Sequence, residues 1–109
     1  MSNADPVALY RLGMSRFARQ DFGGAAQALR QAVELDPTFA DAHQALAHCH
    51  EKLGDLDAAL ASAQMAVEHN PEDPLAHTSL LLFYQRKGMI AQAEREKALA
   101  ARLQSPDNP

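Results

Sequence analysis

Apolar residues recur every three or four positions along nearly the whole chain. Leu9, Leu12, Gly13 and Phe17 fall on one helical stripe, and Ala25, Ala28, Leu29, Ala32 and Val33 on another. That spacing is the period of an α-helix buried along one side. The breaks between stripes are short and carry helix start and stop residues. Asp5 suits an N-cap and Pro6 a first helical position, which predicts a helix from about Pro6 to Arg19. A second helix starts after Asp21 and runs to about Leu35, where Asp36-Pro37 stops it. A third spans about Phe39 to Leu53, with Thr38 and Asp41 spaced as a capping box and Gly54 as a left-handed stop. A fourth runs from Asp55 to about His69, ended by Asn70-Pro71. The fifth follows Asp73-Pro74 and ends at Gly88; the sixth runs from Met89 to about Gln104. Residues 1–5 and 106–109 read as flexible termini, and the chain as frayed from Ser105 onward. The prediction is an all-α chain of six antiparallel helices in a single domain.

The same pattern returns every 34 residues. Pro37 and Pro71 are one period apart, as are Ala25, Ala59 and Ala93, then Ala32, Ala66 and Ala100, then Leu12, Leu46 and Leu80. Asp5-Pro6 recurs two periods later as Asp73-Pro74. A repeat of this length built from helix pairs predicts an α-solenoid, here with units at about 6–39, 40–73 and 74–105. One helix pair is too small to bury its own apolar face, so neighbouring units must stack. Such arrays generally bind partners rather than catalyse. The expectation is a protein or peptide partner, no enzymatic activity and no cofactor.

Composition narrows this further. Hydrophobic residues make up 47% of the 109, and much of that is alanine, which suits closely approaching helices. There is no apolar run long enough for a membrane span. No signal-peptide pattern opens the chain, and the single cysteine, Cys49, excludes an internal disulfide. Both point to a reducing, cytoplasmic setting. A net charge of −4 argues against nucleic acid as a partner. The charge is uneven: residues 6–39 carry +1, residues 40–73 carry −6, and residues 74–107 carry +2. Helix capping accounts for most of the acidic middle, through Asp55, Asp57, Glu72, Asp73 and the first-turn Asp41. Glu51 is the exception, because it lies near a helix C-terminus. Arg16, Arg19 and Arg30 read as a solvated face.

Four of the five histidines also fall in the middle unit: His43, His48, His50 and His69. With Cys49 they raise the question of a metal site, whose candidate ligands are His43, Cys49, His50 and His77. No pair has the i, i+4 spacing that presents two ligands together, and CxxC is absent. Packing is therefore preferred over ligation. Cys49 has a histidine beside it but no evident oxyanion site, so it reads as a buried, inert thiol. Gly23-Gly24 is an isolated pair and not a phosphate loop. Tyr10 and Met14 lie off the Leu9–Leu12 stripe and are expected to be partly exposed.

These residues resemble the tetratricopeptide repeat. The first unit supplies Leu12-Gly13, Phe17, Asp21-Phe22, Ala25, Leu29, Ala32 and Pro37; the second Leu46-Ala47, Gly54-Asp55-Leu56, Ala59, Ala66 and Pro71; the third Leu80, Tyr84, Gly88, Ile90, Ala93 and Ala100. There are departures. Leu9, His43 and His77 stand for the family's tryptophan, Arg16 and His50 for its tyrosine, Lys97 for an aromatic, and Ser105 for the last proline. At their positions the family packs large side chains, which is the role implied for His43, His50 and His77.

The resemblance implies a right-handed superhelix whose concave face holds an extended peptide or partner helix. Carried over by position, that face comprises Val7, Tyr10, Met14 and Phe17, then Asp41, Gln44, His48, Glu51 and Lys52, then Leu75, Thr78, Leu82, Gln85 and Arg86. The groove so implied is apolar at both ends and net acidic in the middle unit. It suits a ligand with apolar anchors flanking a basic or hydrogen-bonding centre. Chaperone-binding members grip a C-terminal carboxylate with Lys, Asn and Arg. The matching positions here are Tyr10, Met14, Ala45, Leu75 and Ser79, which argues against that activity. The three-repeat secretion chaperones offer a second likeness. Ile90, Leu99 and Leu103 on the last helix are candidates for pairing two copies. His48, in an acidic neighbourhood, is a candidate for pH-dependent binding.

Overall fold

The computed structural model describes residues 5–104, and the expectations for residues 1–4 and 105–109 lie outside it. The described residues form six helices: α1 (Pro6–Ala18), α2 (Phe22–Leu35), α3 (Ala40–Lys52), α4 (Leu56–His69), α5 (Pro74–Arg86) and α6 (Ile90–Gln104). Each packs on its neighbours in sequence, and α1 also touches α3. The array is elongated, 51 × 30 × 21 Å.

Local chemistry sets the helix starts. Asp5 accepts the Val7 N–H at 3.0 Å, Asp21 that of Gly24 at 3.0 Å, Asp55 that of Ala58 at 3.1 Å and Asp73 that of Leu75 at 3.0 Å. Each bond satisfies one donor left free by the first helical turn. Asp5 is thus the N-cap of α1 and not part of a loose terminus. The capping box expected at Thr38 does not form. The third helix starts at Ala40, its N-cap Phe39 makes no side-chain bond, and Thr38 donates through both its N–H and its hydroxyl to Asp36. A nearer carboxylate in the same turn outcompetes Asp41. Gly54 and Gly88 end α3 and α5 at φ 83° and 75°. In the first unit the same left-handed position is held by Gln20, at φ 65°.

Two apolar clusters form the core. One joins units one and two around Ala25, Leu29, Leu46 and Cys49; the other joins units two and three around Ala47, Ala59, Leu80 and Phe83. The equivalent leucines fare differently. Leu46 and Leu80 are 6% and 3% exposed, whereas Leu12 is 42% exposed. Leu46 and Leu80 bury against the preceding unit, and among the described residues no helix precedes α1. At the other end α6 presents charge where earlier units present apolar groups. Glu94 stands in for Ala26 and Leu60, and Lys97 for Leu29 and Ala63; both are exposed. Among the α6 residues considered for pairing copies, Ile90 is exposed while Leu99 and Leu103 are half-buried.

The histidines in the tryptophan position are structural. His43 and His77 are buried, and each Nε2 lies against the carbonyl of the proline six residues back, at 2.8 Å for Pro37 and 2.6 Å for Pro71. Arg16 is not on a solvated face. It is half-buried and donates to the Gly24 carbonyl at 3.1 Å, linking α1 to α2.

Candidate functional site: a cleft across the first helix of each unit

The first helices of the three units lie side by side, and residues seven apart form a row on each. The row is Val7 and Met14 on α1, Asp41 and His48 on α3, and Leu75 and Leu82 on α5. Val7, Met14, Leu75 and Leu82 are all exposed, which removes large apolar side chains from the core and leaves them in water. The rows border a cleft of about 460 Å³, within the range of small-ligand sites. Its lining is Tyr10 and Met14 from α1, Asp41, Gln44, Ala45 and His48 from α3, and Asp73, Leu75, Thr78 and Ser79 at α5. A second hollow of about 250 Å³, lined by Met14, Phe17, Ala45 and His48, shares three of its four residues with the first.

Eight of the fourteen concave-face candidates therefore border one continuous depression: Tyr10, Met14, Phe17, Asp41, Gln44, His48, Leu75 and Thr78. Val7 and Leu82 lie exposed on the same rows without lining it. Glu51, Lys52, Gln85 and Arg86 lie at the C-terminal ends of α3 and α5, also outside the lining. Asp73 was read from sequence only as a helix cap. Its position one residue before α5 is what brings it into the cleft. Ala45 and Ser79 are repeat equivalents, and their small side chains deepen the floor.

Polar side chains bridge α3 and α5 beneath the apolar rows. Gln44 Nε2 donates to Ser79 Oγ at 2.6 Å, and Ser79 Oγ lies 3.3 Å from His48 Nε2. His48 Nδ1 is 3.4 Å from Glu51, whose other oxygen pairs with Arg86 at 2.8 Å. The His48 ring meets the Phe83 ring edge-on at 6.1 Å. Gln44 Oε1 is buried without a partner among the described residues. The Glu51 carboxylate is thus balanced by Arg86. Within the cleft the acidity collects at one mouth, where Asp41 and Asp73 stand. Its field reaches Tyr10, whose phenol is pushed up by burial and further by the Asp41 carboxylate.

The metal candidates do not converge. His43 and His77 direct Nε2 at prolyl carbonyls, and the His43 ring stacks on His69 with centroids 5.8 Å apart. His50 is half-buried, and its imidazole is pushed down by burial, opposed by Asp55 and reinforced by Arg30. Among the described residues, no three His, Cys, Asp or Glu side chains form a metal-holding group. Burial pushes the Cys49 thiol up to about 11, so the nucleophilic thiolate is scarce at neutral pH. No helix among the described residues is long and apolar enough to cross a membrane.

The sequence profile of the tetratricopeptide repeat matches residues 16–82, more than half of the chain. The chain belongs to the tetratricopeptide repeat family. Solved structures share its α-solenoid. MamA aligns with a TM-score of 0.91 at 24% identity, over 97% of this chain and 62% of the MamA chain. The TPR2B domain of yeast Sti1, in its complex with pHsp70, aligns at 0.87 and 19% identity, over 94% of this chain and 82% of that one. The Yersinia enterocolitica type III secretion chaperone SycD, with a peptide of the translocator YopD, aligns at 0.83 and 22% identity, over 88% of this chain and 73% of its own. This tetratricopeptide repeat protein thus spans less than two thirds of MamA.

Proposed function

We propose that this chain is a non-enzymatic module whose cleft holds a segment of a partner protein. The observation that carries this is the cleft itself: Tyr10, Met14 and Leu75 converge from two helices on a preformed hollow. Burying one such side chain contributes about 1.5–3 kcal/mol. A rigid groove spares the ordering cost on its own side of the interface, so a few anchors suffice for useful affinity. The two carboxylates of the lining, unaccompanied there by Lys or Arg, fit a protein partner better than a nucleic acid. The lone buried cysteine suits a reducing, cytoplasmic compartment.

A second reading is a chaperone that holds an exported protein. The likeness to SycD with its bound YopD peptide favours it. Both readings place the partner in the same cleft.

The test compares wild type with a Tyr10→Ala, Met14→Ala, Leu75→Ala variant whose helicity and melting temperature are first shown to be retained. Both are used to capture proteins from lysate. A protein held by wild type and lost from the variant supports the cleft. Equal capture by both moves the site elsewhere.

A further inference from the structure

The cleft carries information about its ligand beyond apolarity, because its charge is one-sided. Asp41 is exposed and has no hydrogen-bond or ion-pair partner among the described residues. Asp73 uses one oxygen to cap α5 and leaves the other without a partner among the described residues. Both line the cleft, and the lining contains no lysine or arginine. The nearby N-termini of α3 and α5 each offset about half an elementary charge. Two carboxylates against two such ends leave about one net negative charge at this mouth. Glu51 adds nothing to it, since Arg86 and His48 hold that carboxylate. On the α1 wall the Tyr10 phenol is raised first by burial and then by the Asp41 carboxylate.

Apolar anchor points flank this charge. Tyr10 and Met14 stand on α1 and Leu75 on α5, with α3 between them. Packed helix axes lie about 8–10 Å apart, so the two walls are separated by roughly 20 Å. An extended chain covers that distance in about six residues at roughly 3.3 Å each. We propose that the cleft selects an internal segment of a partner protein that carries a lysine or arginine between two apolar side chains about six residues apart. The cation sits between Asp41 and Asp73, and the apolar residues sit on Tyr10–Met14 and on Leu75. A segment ending in a free carboxylate is disfavoured, because it would bring a second anion to an already negative mouth. This rests on the cleft being the binding site and adds the chemistry of what enters it.

The test selects binders from a library of random short peptides displayed between fixed flanks, so that neither terminus is free. Wild type, Asp41→Lys and the Tyr10→Ala, Met14→Ala, Leu75→Ala variant serve as parallel targets. Asp73 is left intact because its loss would uncap α5. The expected result is enrichment of Lys or Arg between apolar residues on wild type. Replacing that cation by glutamine in a selected peptide, or using Asp41→Lys, then weakens binding about tenfold in fluorescence anisotropy, an effect that shrinks as salt rises. Apolar sequences with no cation preference, lost only in the triple variant, would overturn the charge selection and leave the cleft as the site. Enrichment that ignores the triple variant, or no enrichment on wild type, would overturn both.

Discussion

His77 on α5 and Glu96 on α6 are joined by a buried contact of 2.5 Å between Nδ1 and Oε2. The other ring nitrogen of His77 faces the Pro71 carbonyl at 2.6 Å. A carbonyl and a carboxylate are both acceptors, so the three groups need two protons between them, shared by ring and carboxyl. Glu96→Ala strands Nδ1 in the core between the last two helices, and leaving a buried polar group unpaired costs about 1–3 kcal/mol. Glu96→Gln keeps a bond to a neutral ring and costs less. Urea unfolding of the two variants measures the difference; equal losses would show that the contact contributes only packing.

Gln20 repeats, in the first unit, the backbone of Gly54 and Gly88, but with a side chain in the left-handed region. A β-carbon there costs about 1 kcal/mol, partly offset by the greater freedom that glycine gives the unfolded chain. Gln20→Gly should therefore raise stability by a few tenths to about 1 kcal/mol. Gly54→Ala should lower it by a similar amount. Thermal melts of both report the sign.

Gly13 brings α1 against α2 so closely that a β-carbon there would lie 2.6 Å from Leu29 Cγ. Leu29 is fully buried and has nowhere to move. Gly13→Ala gains about 1 kcal/mol in helix propensity and loses typically 1–3 kcal/mol to overpacking, so the net effect is a loss. Leu29→Ala removes the clash. In the double variant the loss should be smaller than the sum of the singles, a coupling that denaturant titration resolves.

Cys49 has its thiol held protonated to about pH 11 by burial, against about 9.0 for an ordinary cysteine. A folded value above the unfolded one means the contribution is complete below pH 9 and is lost as pH rises toward 11. Stability should fall across that window, and Cys49→Ala should flatten part of the fall. In native protein at pH 8 the thiol should react with a disulfide reagent only as fast as the core opens. Immediate labelling would contradict its burial.

Much of the fold was legible because it is periodic. Apolar spacing gave the helices, and the recurrence of Ala25, Leu46 and Pro37 equivalents gave the three units. What escaped depends on breaks in that periodicity. Leu12 matches Leu46 and Leu80 letter for letter, yet its burial depends on a neighbour in space that the letter does not encode. Thr38 and Asp41 have capping-box spacing, but Asp36 lies closer to the threonine. Arg16 reads as one more surface cation until Gly24 folds back beside it. The rows of the cleft were legible by position. The location of its charge was not, because the pairing of Glu51 with Arg86 joins helices that the 34-residue period leaves unrelated in chemistry.

The charged outer face of α6 decides where the array accepts an additional unit. A helix pair appended beyond α6 would bury Glu94 and Lys97, at several kilocalories per mole for each ion left without a partner. A duplicate of the middle unit spliced before Pro74 would instead meet apolar surfaces on both sides. Lengthening this array by design therefore starts from the inside, between units whose facing surfaces are apolar.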